Sequence, residues 1–233
     1  MKIASKHIIE KLRNISNPNK AKTLQGFFKT APGQYGYGDI FWGITVPQTR
    51  AVAKLFQDVS LKENSALIQH QVHEIRLCAL LILVHRFQAQ PGLVYKTYMA
   101  HKKFVNNWDL VDLTADKIVG AYLKDKPKTI LYELAKSQGL WDRRIAIVST
   151  FFFIKAGESQ ETFKIADLLM RDQEDLIHKA VGWMLREVGK RCSTKELEDY
   201  LKLRYKTMPR TMLRYAIERF PASLRKKYLL GVV

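Results

Sequence analysis

The sequence predicts an all-α fold, a right-handed solenoid of stacked helix pairs with a concave basic face. Three observations predict it. Apolar residues recur at helical spacing along nearly the whole chain, and no convincing alternation of apolar and polar residues marks a strand. Short punctuation separates the helical segments: "NPNK" from residue 17, "KPK" from 126, "AGES" from 156, "CST" from 192 and "MPR" from 208. Several of those segments also repeat one another.

Taken in order, the N-terminal "MKIASKHIIEKLRNISNP" has neither the apolar core nor the small-residue cleavage site of a signal peptide. The one long irregular stretch is "TAPGQYGYGD", residues 30–39. Its glycines do not follow a phosphate-loop pattern, since no Gly-Lys-Ser/Thr follows, so it reads as a flexible connection, the alternative being that its two tyrosines touch a ligand. Beyond it, "EIRLCALLIL" from 74, "LVDLTADKIV" from 110, "DRRIAIVSTF" from 142, "IHKAVGWMLR" from 177 and "MLRYAIERFP" from 212 share one register. The third residues are Arg76, Asp112, Arg144, Lys179 and Arg214, separated by 36, 32, 35 and 35 residues. That period belongs to stacked helix pairs of the HEAT, armadillo or tetratricopeptide kind, in which each pair buries its apolar face against the next. With no Pro/Gly/Ser linker, residues 1–233 read as a single HEAT-like domain.

Composition narrows the function. A hydrophobic content of 47% fits a folded chain, and 39 Lys and Arg against 22 Asp and Glu give a net charge of +17. Such an excess points to a polyanionic partner, with nucleic acid the commonest. "CALLILV" and the broken "IAIVSTFFFI" fall short of a membrane span, so a soluble cytoplasmic protein is expected. Cys78 and Cys192 have no CxxC partner and read as buried free thiols. His70 and His73 lack a third ligand and read as a solvated pair, so neither metal nor cofactor is expected.

A row of Arg and Lys at successive repeats suits a phosphate backbone, and Asp112 interrupts it. Two explanations stand level on periodicity alone: a functional carboxylate, or an Asp112–Arg144 ion pair joining adjacent repeats. Trp108 shares a helix face with Asp112, and Trp183 follows Lys179 by four, so the two indoles either flank a cleft or pack as ordinary core. Trp42 and Trp141 have no such partner and read as packing residues.

The segments "NNWDLVD", "LWDRRIAIV" and "IHKAVGWMLREVGKR" resemble the AlkD-type DNA alkylation repair glycosylases of the HEAT-like repeat superfamily, and "YGDIFWGITVPQTR" resembles the wider family's N-terminal signature. The resemblance covers almost the whole chain. It implies a solenoid that holds duplex DNA on its basic face; because phosphate contacts carry no base information, binding without sequence preference is expected, and a monomer is expected. It also implies base excision repair by hydrolysis of the N-glycosidic bond of N3- or N7-alkylated purines. The family's catalytic aspartate falls on Asp112, its cleft tryptophans on Trp108 and Trp183, and its supporting arginine on Arg144, with Arg143 a close competitor. Arg76, Arg143, Arg144, Lys179 and Arg214 are the expected DNA contacts. Two rivals use the same residues differently: a non-catalytic solenoid that recognises damaged or branched DNA, and a protein-interaction scaffold whose charge serves solubility.

Overall fold

The computed structural model describes residues 3–233, and its regular elements there are helical. The chain folds as two compact units, Met1–Thr114 and Ala115–Val233.

In the first unit, helix starts follow local chemistry. α1 (Ile3–Asn14) is followed by Asn17, whose side-chain oxygen accepts from the Lys20 N–H at 3.0 Å while Pro18 fills the first turn of α2 (Pro18–Phe27). α3 (Val46–Leu55) opens with the Thr45 N–H donating to the Gln48 side chain at 3.0 Å. α4 (Leu61–Ile68) is capped by Ser60, which accepts from Glu63 N–H at 3.3 Å. α5 (His73–Arg86) is the central helix, packed by α1, α3, α4, α6 (Pro91–Ala100) and α7 (Trp108–Asp112). Every residue of α5 from His73 to Leu83 is buried, as a helix enclosed on all sides requires.

The connection before α3 is held from within. Buried Glu74 accepts three backbone N–H groups, from Trp42 (3.0 Å), Gly43 (2.8 Å) and Ile44 (3.1 Å). Ile40 and Val72 form an isolated parallel bridge. Residues 30–39 are accordingly a folded loop rather than a loose connection. Gly36 N–H donates to the Lys29 carbonyl at 3.0 Å, and Asp39 N–H to that of Gly36 at 3.1 Å. A Cβ at Gly36 would lie 2.4 Å from the Phe28 carbonyl oxygen, so the close approach needs glycine.

The second unit opens with a π-helical turn, Asp116–Gly120, followed by α8 (Thr129–Ala135), α9 (Leu140–Ser149), α10 (Phe151–Lys155) and α11 (Gln160–Leu168). α12 (Asp175–Arg191) is its axis, and α13 (Thr194–Lys202), α14 (Arg210–Ala216) and α15 (Ala222–Leu230) complete it. α9, α10, α11, α13 and α14 all pack on α12. Gly182 lets α14 approach: an added Cβ would meet Met212 O and Tyr215 Cβ at 2.5 Å each.

Cys78 is enclosed in α5, where burial pushes its thiol up to about 12, whereas Cys192 is half-buried at the end of α12. The expectation of two buried thiols therefore holds for Cys78 alone. Among the described residues, no helix is long and apolar enough to cross a membrane.

Candidate active site

α7 carries the candidate site residues Trp108 and Asp112 of the first unit. It is only five residues long, too short to sustain itself by propagation, so side chains must fix it. Asn107 precedes it and accepts from the Trp108 N–H at 2.8 Å. Trp108 is half-buried; it stacks on Phe28 at 5.0 Å with the rings 14° apart and meets Phe27 edge-on at 5.7 Å. Phe27 is 61% exposed, so Trp108 and Phe27 form an aromatic corner open to solvent. The indole is therefore neither fully core nor isolated.

The two carboxylates of "NNWDLVD" have different fates. Asp109 is 4% exposed and accepts from His73 Nε2 at 2.8 Å, with its other oxygen taking the Leu110 N–H at 2.9 Å. Asp112 ends α7 and is only half-buried. Of the pair, Asp112 is the one that solvent or a substrate can reach.

His73 corrects the solvated reading. It is 1% exposed, with Nδ1 donating to Asp39 at 3.1 Å and Nε2 to Asp109 at 2.8 Å. Burial pushes its pKa down, but the Asp109 charge and the hydrogen bonds to Asp109 and Asp39 outweigh this and raise it to about 9, against a smaller opposing push from Arg76. Asp39 is moved upward by burial and downward more strongly by His73, Arg76 and Asn106, so its carboxyl stays below the usual range. The carboxylates occupy opposite ring nitrogens, so they do not converge on a metal. His70 is half-buried, and burial and the Arg76 charge push its pKa down.

Arg76 corrects the row of exposed cations. Its guanidinium is buried, ion-pairs with Asp39 at 2.7 Å and donates to the carbonyls of His70 (2.9 Å) and Gln71 (3.0 Å). An open groove of about 390 Å³ lies beside it, lined by Tyr37, Asp39, His70, Arg76, Lys103 and Asn106 among others.

In the second unit the equivalent positions also diverge. Arg144 is 5% exposed on α9 and donates to the Leu176 carbonyl. Arg143 is paired with Asp172 at 2.6 Å and caps the carbonyls of Ser137 and Gln138. Lys179 is partly exposed and paired with Asp175 at 2.7 Å, while Arg214 is exposed on α14. Shared register therefore did not bring shared exposure. The basic residue faces inward at Arg76 and Arg144 and outward at Arg214. Trp183 is half-buried on α12, 5.8 Å from Phe151, a ring that also carries Lys155 at 5.1 Å and Arg191 at 5.2 Å.

Sequence reasoning missed Phe27, Phe28 and the set of Asp39, His73 and Asp109. The available signal was His73 and Arg76 one helical turn apart, with Asp39 standing inside "YGDIFWG".

The chain is thus an all-helical protein with an exposed aromatic corner next to an accessible carboxylate. The family model for DNA alkylation repair enzyme matches residues 8–220, and the chain belongs to that family. A solved structure, "Predicted DNA alkylation repair enzyme from Enterococcus faecalis", aligns with a TM-score of 0.75 at 20% identity, over 89% of this chain and 97% of that one. At such identity the likeness shows the fold. No curated protein matches the sequence.

Proposed function

We propose that this chain is a DNA glycosylase that hydrolyses the N-glycosidic bond of cationic N3- or N7-alkylated purines in duplex DNA, as a step of base excision repair. Family membership supplies the setting, and the observation that carries the reading is the division of labour on α7. Asp109 is buried against His73, while Asp112 stands accessible one turn after Trp108.

The chemistry asks little else of the protein. Alkylation at N3 or N7 makes the purine cationic, so the C1′–N bond breaks with its electron pair passing to a base that departs neutral. No general acid is required, unlike in ordinary glycoside hydrolysis. Positive charge develops at the sugar, where the Asp112 carboxylate stabilises it and orients a water. That water adds to C1′ as its proton passes to the Asp112 carboxylate and on to solvent, leaving an abasic sugar in the strand. Trp108 and Trp183 offer ring faces to a cation or a sugar. Arg144 and its sequence neighbour Arg143 on α9 are the candidate supporting arginines, and Lys179 and Arg214 the candidate phosphate contacts.

The test is release of methylpurine from methylated duplex DNA. Asp112→Asn keeps the shape and removes the charge, so release should fall by about 10²–10³-fold, the order seen when a transition-state electrostatic contact is lost. DNA affinity should stay equal or rise slightly, because a repulsion toward phosphate is removed. A variant that melts early but excises normally when folded would make Asp112 a structural residue and end this reading. Binding of duplex without release by the unaltered protein would instead leave a non-catalytic DNA-binding protein.

A further inference from the structure

We propose that His73 is the positioning residue of this site, clamping α7 through Asp109 and through the aromatic stack that ends on Trp108. The proposal rests on reading Asp112 and Trp108 as the reacting cleft.

Two independent contacts lead from His73 to α7. The first is the 2.8 Å hydrogen bond from Nε2 to Asp109, between Trp108 and Asp112 in sequence. The second is a run of rings. His73 stacks on Phe41 at 4.4 Å, Phe41 on Phe28 at 4.9 Å, and Phe28 on Trp108 at 5.0 Å; Phe28 also touches His73 directly at 5.2 Å. The ring of His73 therefore holds α7 at two points, one polar and one aromatic. Its own place is fixed from the other side, by Asp39 on Nδ1 and by the backbone N–H donating to the Ile40 carbonyl at 2.8 Å. A five-residue helix cannot hold an orientation by propagation, so contacts of this kind have to fix it.

His73 cannot itself be an acid or base for the substrate. It is 1% exposed and both ring nitrogens are engaged. Its action passes through Asp109, and it depends on protonation. A neutral imidazole has one N–H, so one of the two carboxylates would then face a ring lone pair. The charged groups that face it are Asp39 from the loop, Asp109 from α7 and Arg76 from α5; Phe28 and Phe41 are apolar. The folded-state pKa, about 9, lies above the ordinary 6.5. The stability that the protonated clamp contributes is therefore fully present below about 6.5 and is lost as pH rises through about 9, where the imidazolium itself is lost.

The experiment compares the unaltered chain, His73→Gln and Asp109→Asn in single-turnover release of methylpurine, with DNA affinity measured alongside at each pH. A loosened α7 should lower the rate constant by about tenfold or more, since small misplacements of reacting groups are costly, while affinity stays within about twofold. The unaltered chain should lose rate as pH rises through about 9 at constant affinity, and His73→Gln should lack that limb. Folded variants that keep both the rate and the limb overturn the proposal. Should the variants not fold, the emission of Trp108 decides. It is isolated as the difference between the unaltered chain and Trp108→Phe, without DNA, and should change between about pH 8 and about pH 10 as the imidazolium is lost. An unchanged difference spectrum overturns the clamp. Absence of any release by the unaltered chain would overturn the glycosylase reading instead, and the emission would still decide the clamp.

Discussion

Glu74 is 2% exposed, and the backbone N–H groups of Trp42, Gly43 and Ile44 converge on its carboxylate. An unpaired charge at such depth would be expelled; three charge-assisted donors hold it. Glu74→Gln keeps the shape but puts an amide NH₂ where one donor points. It should destabilise by about 1–3 kcal/mol, the range for leaving a buried donor unsatisfied. Denaturant unfolding checks this, and an unchanged midpoint would show that the 40–45 segment holds its place without Glu74. The same residue scale explains what the sequence showed and what it hid. That Trp108 and Asp112 share one helix was legible because they lie four apart in one short segment. His73 was misread as solvated because its partners are 34 and 36 residues away, and local spacing carries no trace of them. Arg76 was read as a phosphate contact because register fixes a position along a helix. It does not reveal that Asp39 waits on the inner side.

At the scale of elements, punctuation marked the helices well. Asn17 and Ser193 accept from the third residue onward, and Pro18 sits inside the first turn, as their residue types require. α5 was legible as apolar, but its enclosure from His73 to Leu83 erased the amphipathic signal that would have shown a face. The π-helical turn at Asp116–Gly120 left no mark in the sequence, because one inserted residue does not change composition. Close helix crossings were hidden too, and Gly182 is the sharpest example. Gly182→Ala gains about 1 kcal/mol of helix propensity. Against that, the new methyl would lie 2.5 Å from Met212 O, a backbone atom of α14 that cannot rotate away. Overpacking of this kind costs about 1–3 kcal/mol, so the net change should be a lower melting temperature. A raised melting temperature would show that α14 shifts away at little cost.

At the scale of the whole molecule, the net charge of +17 remains the plainest fact about partners, and it survives the finding that Arg76 and Arg144 face inward. Most of 39 basic residues lie outside the register row, so the field toward DNA does not depend on that row. Phosphate contacts release counterions and read no bases. Duplex affinity should therefore show little sequence preference, and its logarithm should fall linearly with the logarithm of salt concentration. Exposed and buried cations then separate by experiment. Arg214→Ala removes an exposed charge and should weaken binding on every sequence alike, lowering the salt slope by about one unit if it meets a phosphate. Arg76→Ala removes a buried partner of Asp39, so it should lower the melting temperature while leaving the slope of the folded protein unchanged. A slope that falls with Arg76→Ala but not with Arg214→Ala would reverse the assignment of inward and outward cations. Affinity that stays flat from low to moderately high salt would remove the phosphate-tracking role altogether, leaving the charge to solubility and the helices to a protein partner.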